Sequence, residues 1–406
     1  MPDRFSGGND SEVCPQDTAM SAHLLPGPCA YPVFFRTYSR RFQGVRESWE
    51  QVCVRTVQDL ATLGNFTPAE QALVLEMQRQ LKTLTSGRWL WVGGTDWIHQ
   101  PENFSGAYNC TSQRIRDWRG FGLMMDLAMQ GSGTGAVLET QYLQQLPAIT
   151  TRLEVTVVGQ PGERPAAERL QLTQVERQGD GVTIRVGDSR QGWVRAYQSL
   201  LELASDPAGG AVLPVTVDLG HVRPKGEVLK GFGGIANPAL LPQLFPRVAG
   251  ILNQAVGRQL TSIECCLLID QAAATVVAGN IRRSAGMRQF SAVDQEAAGA
   301  KANLWKQDDQ GNWRIDPERD VLRMANHTRV FHHKPSREEC IESVRSQFYS
   351  GEGAVQWAGE AIARSNRDVL DTPEKKARFL ELYQNDPQRA RGYLRELLLL
   401  RKTSNG

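Results

Sequence analysis

The sequence predicts an α/β fold whose strands pair in parallel. The first observation behind this is alternation. The strand-like runs LEVTVV (153–158), VTIRV (182–186) and VLPVTVDL (212–219) are rich in β-branched residues, and helical segments at 189–204, 239–256 and 261–278 lie between or after them. The second is composition: 41% apolar and 22% charged residues describe an ordinary globular chain. The third is length, since 406 residues suffice for one large core or for two or three domain-sized units.

The bulk properties exclude several classes. A formal net charge of +2 carries no nucleic-acid or membrane signal. No apolar run reaches the roughly 18 residues of a membrane span, and the N-terminus has no apolar core of a signal peptide. Seven scattered cysteines without a CxxC pair fit a reducing, cytoplasmic setting and argue against a structural zinc site. His332 and His333 are adjacent, point in different directions on a regular element, and read as surface histidines.

Along the chain, residues 1–30 are rich in Pro, Gly and Ser and read as a loose arm. A helix is expected over 45–63. A second starts at Thr67-Pro68-Ala69-Glu70, a capping box with proline in the first turn, and carries Leu73, Val74, Met77, Leu81 and Leu84 at helical spacing. Residues 89–110 read as a short strand and a long loop, 114–130 as a helix, 159–180 as an insertion or hairpin loop, and 371–402 as one amphipathic helix.

Four features could carry chemistry. Gly131-Ser132-Gly133-Thr134-Gly135-Ala136 satisfies a loose dinucleotide pattern, with Glu154 beyond it. The preceding FGLMMDLAMQ is helical in composition, whereas that fingerprint follows a strand and opens a helix. A tight helix-to-strand turn is the better reading, and a Rossmann-type dehydrogenase is disfavoured. Arg223-Pro224-Lys225-Gly226 and Lys230-Gly231-Phe232-Gly233-Gly234 interleave glycines and cations, and suit either a phosphate or a plain connection. Gly279-Asn280-Ile281-Arg282-Arg283-Ser284 follows a helix C-terminus, whose dipole repels anions, so the arginines would have to hold any anion there. Cys110 stands outside any apolar stripe, whereas Cys265 and Cys266 sit in an apolar helix and read as buried small hydrophobes.

Taken in order, these segments resemble one family. They comprise FRTYSR (35–40), Ser86-Gly87-Arg88 through Gly94-Thr95-Asp96, Asn109-Cys110, the glycine turn 131–135, VGDSRQGW (186–193), RPKGEVLKGFGG (223–234) and VVAGNIRRSA (276–285). The family is the adenosylcobalamin-dependent (class II) ribonucleoside-triphosphate reductases, of the monomeric type, and the matches are collinear over about 34–370.

The resemblance implies the first half of a ten-stranded α/β barrel, preceded by a helical N-terminal region. The divisions are an arm at 1–30, a helical region at 31–100 and a half-barrel at 101–406, with an effector-site insertion at about 150–235. It implies reduction of ribonucleoside triphosphates to deoxyribonucleoside triphosphates for DNA synthesis, with adenosylcobalamin as cofactor and a deoxynucleoside triphosphate as allosteric effector. A thioredoxin-type reductant would recycle a redox-active disulfide. Cys110 matches the first reducing thiol, and Gly94, Thr95, Asn109 and Gly133 match segments lining the substrate. Asp188, Arg190, Gly279, Asn280, Arg282 and Arg283 match the effector and specificity elements.

The sequence also departs from the family. The radical cysteine belongs to an Asn-Pro-Cys-Gly-Glu motif that does not occur here, and Ala325-Asn326-His327-Thr328-Arg329 stands where the family has Ser-Asn-Asn-Ser. The expectation is an N-terminal part that is inactive until a C-terminal half is supplied. The alternative is a nucleotide-binding module, without catalysis, from a truncated or split gene.

Overall fold

The computed structural model describes residues 29–42, 44–229, 235–276, 285–302 and 304–404. They fall into two compact units. The first comprises the described residues of Met1–Asn109, Gln130–Ser132 and Val228–Ile235; the second those of Cys110–Met129, Gly133–Glu227 and Ala236–Gly406.

The first unit is mainly helical. Helix α1 (Ala30–Thr37) precedes a short hairpin of β1 (Arg41–Phe42) and β2 (Val45–Arg46); α2 (Trp49–Gly64) and α3 (Pro68–Arg79) follow. Both longer helices open with a capping box, Ser48 with Gln51 and Thr67 with Glu70, so two orphan N–H groups are satisfied at each start. The α3 expectation holds at its start and overruns at its end. Leu81 takes φ 58°, outside the helix, and Leu73 and Leu84 are exposed, so the apolar stripe is shorter than its spacing suggested. The Trp-rich segment is also different from the expected strand. It forms α4 (Gly87–Val92) and α5 (Asp96–His99). Ser86 caps α4, and Trp89 buries its ring while Nε1–H donates to Thr56 O (3.0 Å), so tryptophans here pack between helices instead of along a pleat.

The second unit contains two sheets. Strands β3 (Cys110–Arg114), β4 (Gly133–Val137), β9 (Gly286–Ser291), β12 (Ala325–Phe331) and β13 (Ala354–Trp357) form a five-stranded sheet in the order β13-β12-β9-β4-β3, every pair parallel. Between β4 and β9 the chain passes through α7 (Thr140–Leu143) and builds a second sheet from β5 (Arg152–Val158), β6 (Gln174–Gln178), β7 (Gly181–Arg185) and β8 (Val212–Asp218), in the order β5-β8-β7-β6. Only the β6–β7 hairpin in that sheet is antiparallel.

Helices α6 (Trp118–Met129), α8 (Arg190–Ala204), α9 (Leu241–Gln254) and α10 (Ser262–Val276) share one apolar core with both sheets. Tyr197 of α8 donates its hydroxyl to Leu268 O (3.0 Å) inside that core. The edge of β5 is closed by Asn253, whose amide accepts from Leu153 N (2.8 Å) and donates to Leu153 O (2.9 Å), as a neighbouring strand would.

After β9 come α11 (Gln295–Gly299), the β10 (Trp305–Gln307) and β11 (Trp313–Ile315) hairpin, α12 (Arg337–Ser350) before β13, and α13 (Ala358–Ser365). The last segment is two helices, α14 (Pro373–Asn385) and α15 (Pro387–Ser404), where one was expected. Asp386 precedes Pro387, the proline ring excludes the helical region for it, and it is extended at φ −157°, ψ 101°. Among the described residues no helix is long and apolar enough to cross a membrane.

His332 is exposed, as expected of a surface histidine, but it has partners. It follows β12, and its Nε2–H donates to Glu139 Oε1 (3.0 Å), just after β4, while Nδ1 lies 3.3 Å from the Tyr383 hydroxyl on α14. The Glu139 hydrogen bond raises the His332 pKa against the opposing effect of burial. A raised histidine stabilises the fold below its unfolded pKa and loses that contribution as the pH rises through its folded value. His332→Gln is therefore expected to cost less than about 1 kcal/mol, since the ring is partly exposed and screened. The cost should be largest below about pH 6 and should fade above the ordinary histidine range. Urea midpoints of both proteins across pH 5–9 check this; a cost that grows with pH would contradict it.

Candidate active site

The register of the five-stranded sheet brings two predicted residues, Cys110 and Gly133, to one end. Cys110 is the first residue of β3 and pairs with Gly133, the first of β4; Thr134 pairs with Gly286, the first of β9, which pairs with Ala325, the first of β12. Two bonds lock this row: Thr111 Oγ1 donates to Gly133 O (3.1 Å), and Thr134 N donates to Ala285 O (2.8 Å). Cys110 is exposed on an edge strand, while Cys265 and Cys266 are fully buried, as expected of small hydrophobes, and burial pushes both their thiols up. Helix α6 precedes the glycine turn and a strand follows it, the reverse of the dinucleotide fingerprint.

The first unit holds Gly94, Thr95 and Asn109. Gly94 N donates to Asp59, and the buried Thr95 hydroxyl donates to Val92 O (2.6 Å). Asn109 is fixed by a residue that sequence reasoning quoted but did not single out. Arg88 is 2% exposed. Its Nε donates to Asn109 Oδ1 (3.1 Å), Nη1 to Gly106 O (3.1 Å) and Gln130 O (2.6 Å), and Nη2 to Gly131 O (2.6 Å). One planar fork thus ties the Asn109 loop to the start of the glycine turn.

Asp188 and Arg190 lie where β7 passes into α8. Asp188 Oδ1 accepts from Arg223 N (3.0 Å) and Arg223 Nε (2.8 Å), Oδ2 lies 3.4 Å from Arg169 Nη1, and Arg169 also binds Glu227 (2.8 Å). The Arg169 hydrogen bond holds the Glu227 carboxyl below the usual range. Arg223, read as a possible phosphate cation, is therefore engaged by Asp188. Arg190 pairs with Asp126 of α6. Gly279, Asn280, Arg282 and Arg283, and the run Lys230–Gly234, lie outside the described residues.

A second residue missed from sequence is Arg288 of β9. It is fully buried against Asp270 of α10 (2.6 Å) and also donates to Thr134 O (2.7 Å). Burial is the first effect on Asp270 and pushes it up to about 6, against the pull of Arg288. The signal for this pair was present: Arg288 alternates with Phe290 in GMRQFS, and a cation at an inward strand position needs a buried partner.

Residues 162–251 match the family described as B12-dependent ribonucleotide reductase, insertion domain. The adenosylcobalamin-dependent ribonucleoside-triphosphate reductase of Levilactobacillus brevis is 28% identical over 313 residues, 66% of this chain and 42% of that protein. The protein of the same name from Lacticaseibacillus paracasei is 28% identical over 319 residues, again 66% and 42%. A crystal structure titled as a B-12 dependent (class II) ribonucleotide reductase superposes with a TM-score of 0.59 at 19% identity, over 79% of this chain and 48% of that one. The fold, with its parallel five-stranded sheet forming part of an α/β barrel, is that of this class II reductase structure, and about 66% of the chain is similar to the curated reductases. It spans about 42% of the length of the curated relatives it matches.

The row of strand starts depends on close backbone approach. A Cβ at Gly135 would lie 2.9 Å from Thr111 O and 3.4 Å from Ser112 Cα, both backbone atoms of β3 that cannot rotate away. Gly135→Ala is expected to destabilise by about 1–3 kcal/mol through overpacking. Gly250→Ala, in α9 where nothing lies within 4 Å, should instead be neutral or stabilise by about 0.5–1 kcal/mol. Urea unfolding of the two variants gives the comparison; equal effects would contradict the packing argument.

Proposed function

We propose that this chain is the N-terminal part of an adenosylcobalamin-dependent ribonucleoside-triphosphate reductase. In this reading it contributes one half-barrel, the effector-binding insertion and one reducing thiol. The observation that carries the reading is the row Cys110–Gly133–Gly286: an exposed thiol, a glycine strand start and the strand that leads out of 279–284 stand side by side at one sheet end. The insertion-domain match and the names of the relatives support it.

In this reading Gly133 borders the ribose, and Gly94, Thr95 and Asn109 belong to first-unit segments that match substrate-lining ones of the family. Cys110 gives up its proton and one electron. A second thiol, outside the Cys110 environment described above, gives the other pair, and the two sulfurs join as a disulfide while the ribose 2′-hydroxyl leaves as water. A dithiol suits this because thiol–disulfide exchange with a thioredoxin-type protein restores it. Bound adenosylcobalamin supplies the radical that activates a thiol hydrogen. The 406 residues contain no Asn-Pro-Cys-Gly-Glu segment to receive it. Asp188 and Arg190 form the ordered turn against which the deoxynucleotide effector binds, and Arg282 and Arg283 relay its identity to the substrate base.

Cys110→Ser in the complete reductase is expected to abolish multiple turnover with a dithiol reductant. Tritium exchange from adenosylcobalamin should persist, because that step does not use Cys110. Normal turnover of Cys110→Ser would overturn the assignment. Arg282→Ala and Arg283→Ala should shift, by roughly ten- to a hundredfold, which ribonucleotide is preferred under a given effector, the size of a charge-assisted contact. Deoxynucleotide formation from mixed substrates measures this, and unaltered pairing in both variants would count against the role of 279–284.

A further inference from the structure

We propose that Asp270 and Arg288 form a cross-brace that positions both stems of segment 277–284 against strand β4, and thereby sets how strongly effector identity biases substrate choice. The proposal rests on the reading of 279–284 as the specificity segment and adds the residues that connect it to the Cys110 row.

The geometry is specific. Asp270 lies on α10, the helix that leads into 277–284, and Arg288 lies on β9, the strand that leads out. Both side chains are fully buried. Arg288 Nε and Nη2 donate to Asp270 Oδ1 (3.0 and 2.6 Å), and Nη1 donates to Thr134 O (2.7 Å) and Met287 O (3.1 Å). One rigid guanidinium therefore holds the entering helix, the leaving strand and β4. Thr134 is next to Gly133, which pairs with Cys110. The path to β4 is two hydrogen bonds long from α10 and one from β9.

The surroundings suit a brace more than a flexible contact. At Gly286, where β9 begins, a Cβ would lie 2.8 Å from Ala325 Cβ and 3.0 Å from Arg288 Nη2, so the guanidinium occupies the space a larger residue would need. Asp270 Oδ2 has no hydrogen-bond partner among the described residues, so the carboxylate is held through one oxygen. Because both side chains are fully buried, moving α10 against β9 must either carry Thr134 with it or leave a buried charge unpaired, and the second is strongly disfavoured. A fold-stabilising pair needs only Asp270 and Arg288; the bond to Thr134 O is what makes the pair a link to the reacting end.

Both residues act through others and are positioning residues, so the test reads coupling. Asp270→Asn, Arg288→Lys and the apolar double variant Asp270→Leu/Arg288→Met are made in the complete reductase. Each of the four deoxynucleoside triphosphates is assayed as effector against the four ribonucleoside triphosphates. The effector-induced change in substrate preference should fall about tenfold, within the usual range of allosteric coupling, while effector Kd moves by less than about threefold. Arg288→Lys should lie between wild type and the double variant, since an ammonium cannot span Asp270 and Thr134 as the fork does.

Wild-type preference in any folded Asp270→Asn or double variant overturns the proposal, as does loss of preference only in step with lost effector affinity. If none of the three folds, the pair serves the fold alone and the proposal fails. Arg282→Ala and Arg283→Ala run in parallel. Unaltered pairing there brings down the reading of 279–284 itself; altered pairing there with unaltered pairing in Asp270→Asn brings down only the brace.

Discussion

Parallel pairing is the constraint on which the second unit depends. Parallel neighbours cannot be joined by a tight turn; each pair needs a crossover that returns the chain to the same end of the sheet. Between β3 and β4 that crossover is α6. Between β4 and β9 it runs from Val137 to Gly286 and contains the entire four-stranded sheet with α8, α9 and α10. A long excursion between two adjacent strands has a structural effect: the inserted sheet is covalently continuous with both of them. The strand starts all lie at one end because the strands are parallel, which is why residues as far apart as Cys110, Gly133 and Gly286 share a row.

Much of this was legible in sequence, and the reasons differ by element. The strands at 152–158, 181–185 and 212–218 and the helices at 190–204, 241–254 and 262–276 carry strong periodicity and β-branched or apolar enrichment, and each was placed within two residues at its start. The glycine turn was placed because the helical composition before it excluded the dinucleotide geometry. The Trp-rich segment failed because aromatic runs fit a half-buried strand as well as a short helix wedged among others, and only tertiary packing of Trp89 on Thr56 decides. The C-terminal helix was split by Pro387, a signal that was present and outweighed by the continuous charge pattern. Strands β12 and β13 gave weak signals because their alternation is broken by polar residues such as His327, Thr328 and Gln356.

The candidate site was legible as residues and not as a network. Cys110, Asn109 and Gly133 are found by motif, but nothing local says that Arg88 fixes Asn109, or that Asp188 is engaged by Arg223 and Arg169. Such partners are distant in the chain and become evident only when desolvation is considered: a buried arginine is tolerable where each of its nitrogens reaches an acceptor. Arg88 meets this with backbone carbonyls and one amide. Arg288 meets it with a carboxylate and two carbonyls.

Those two arginines illustrate how the fold gives precision to loops that would otherwise drift. Backbone carbonyls at Gln130 and Gly131 belong to a turn, and that at Gly106 to a single 3-10 turn, so no long ladder fixes their direction. A guanidinium presents donors in a rigid plane, so binding several carbonyls at once fixes their mutual orientation, and burial removes the competing water that would let any one of them go. The cost is an ion taken out of water, offset only while all contacts are made. That all-or-none character suits segments that must keep one fixed position relative to their neighbours. It also makes the arginine-held segments the places where a small shift in one stem is transmitted undiminished to its neighbour, because a partial break leaves a charge unpaired in the interior.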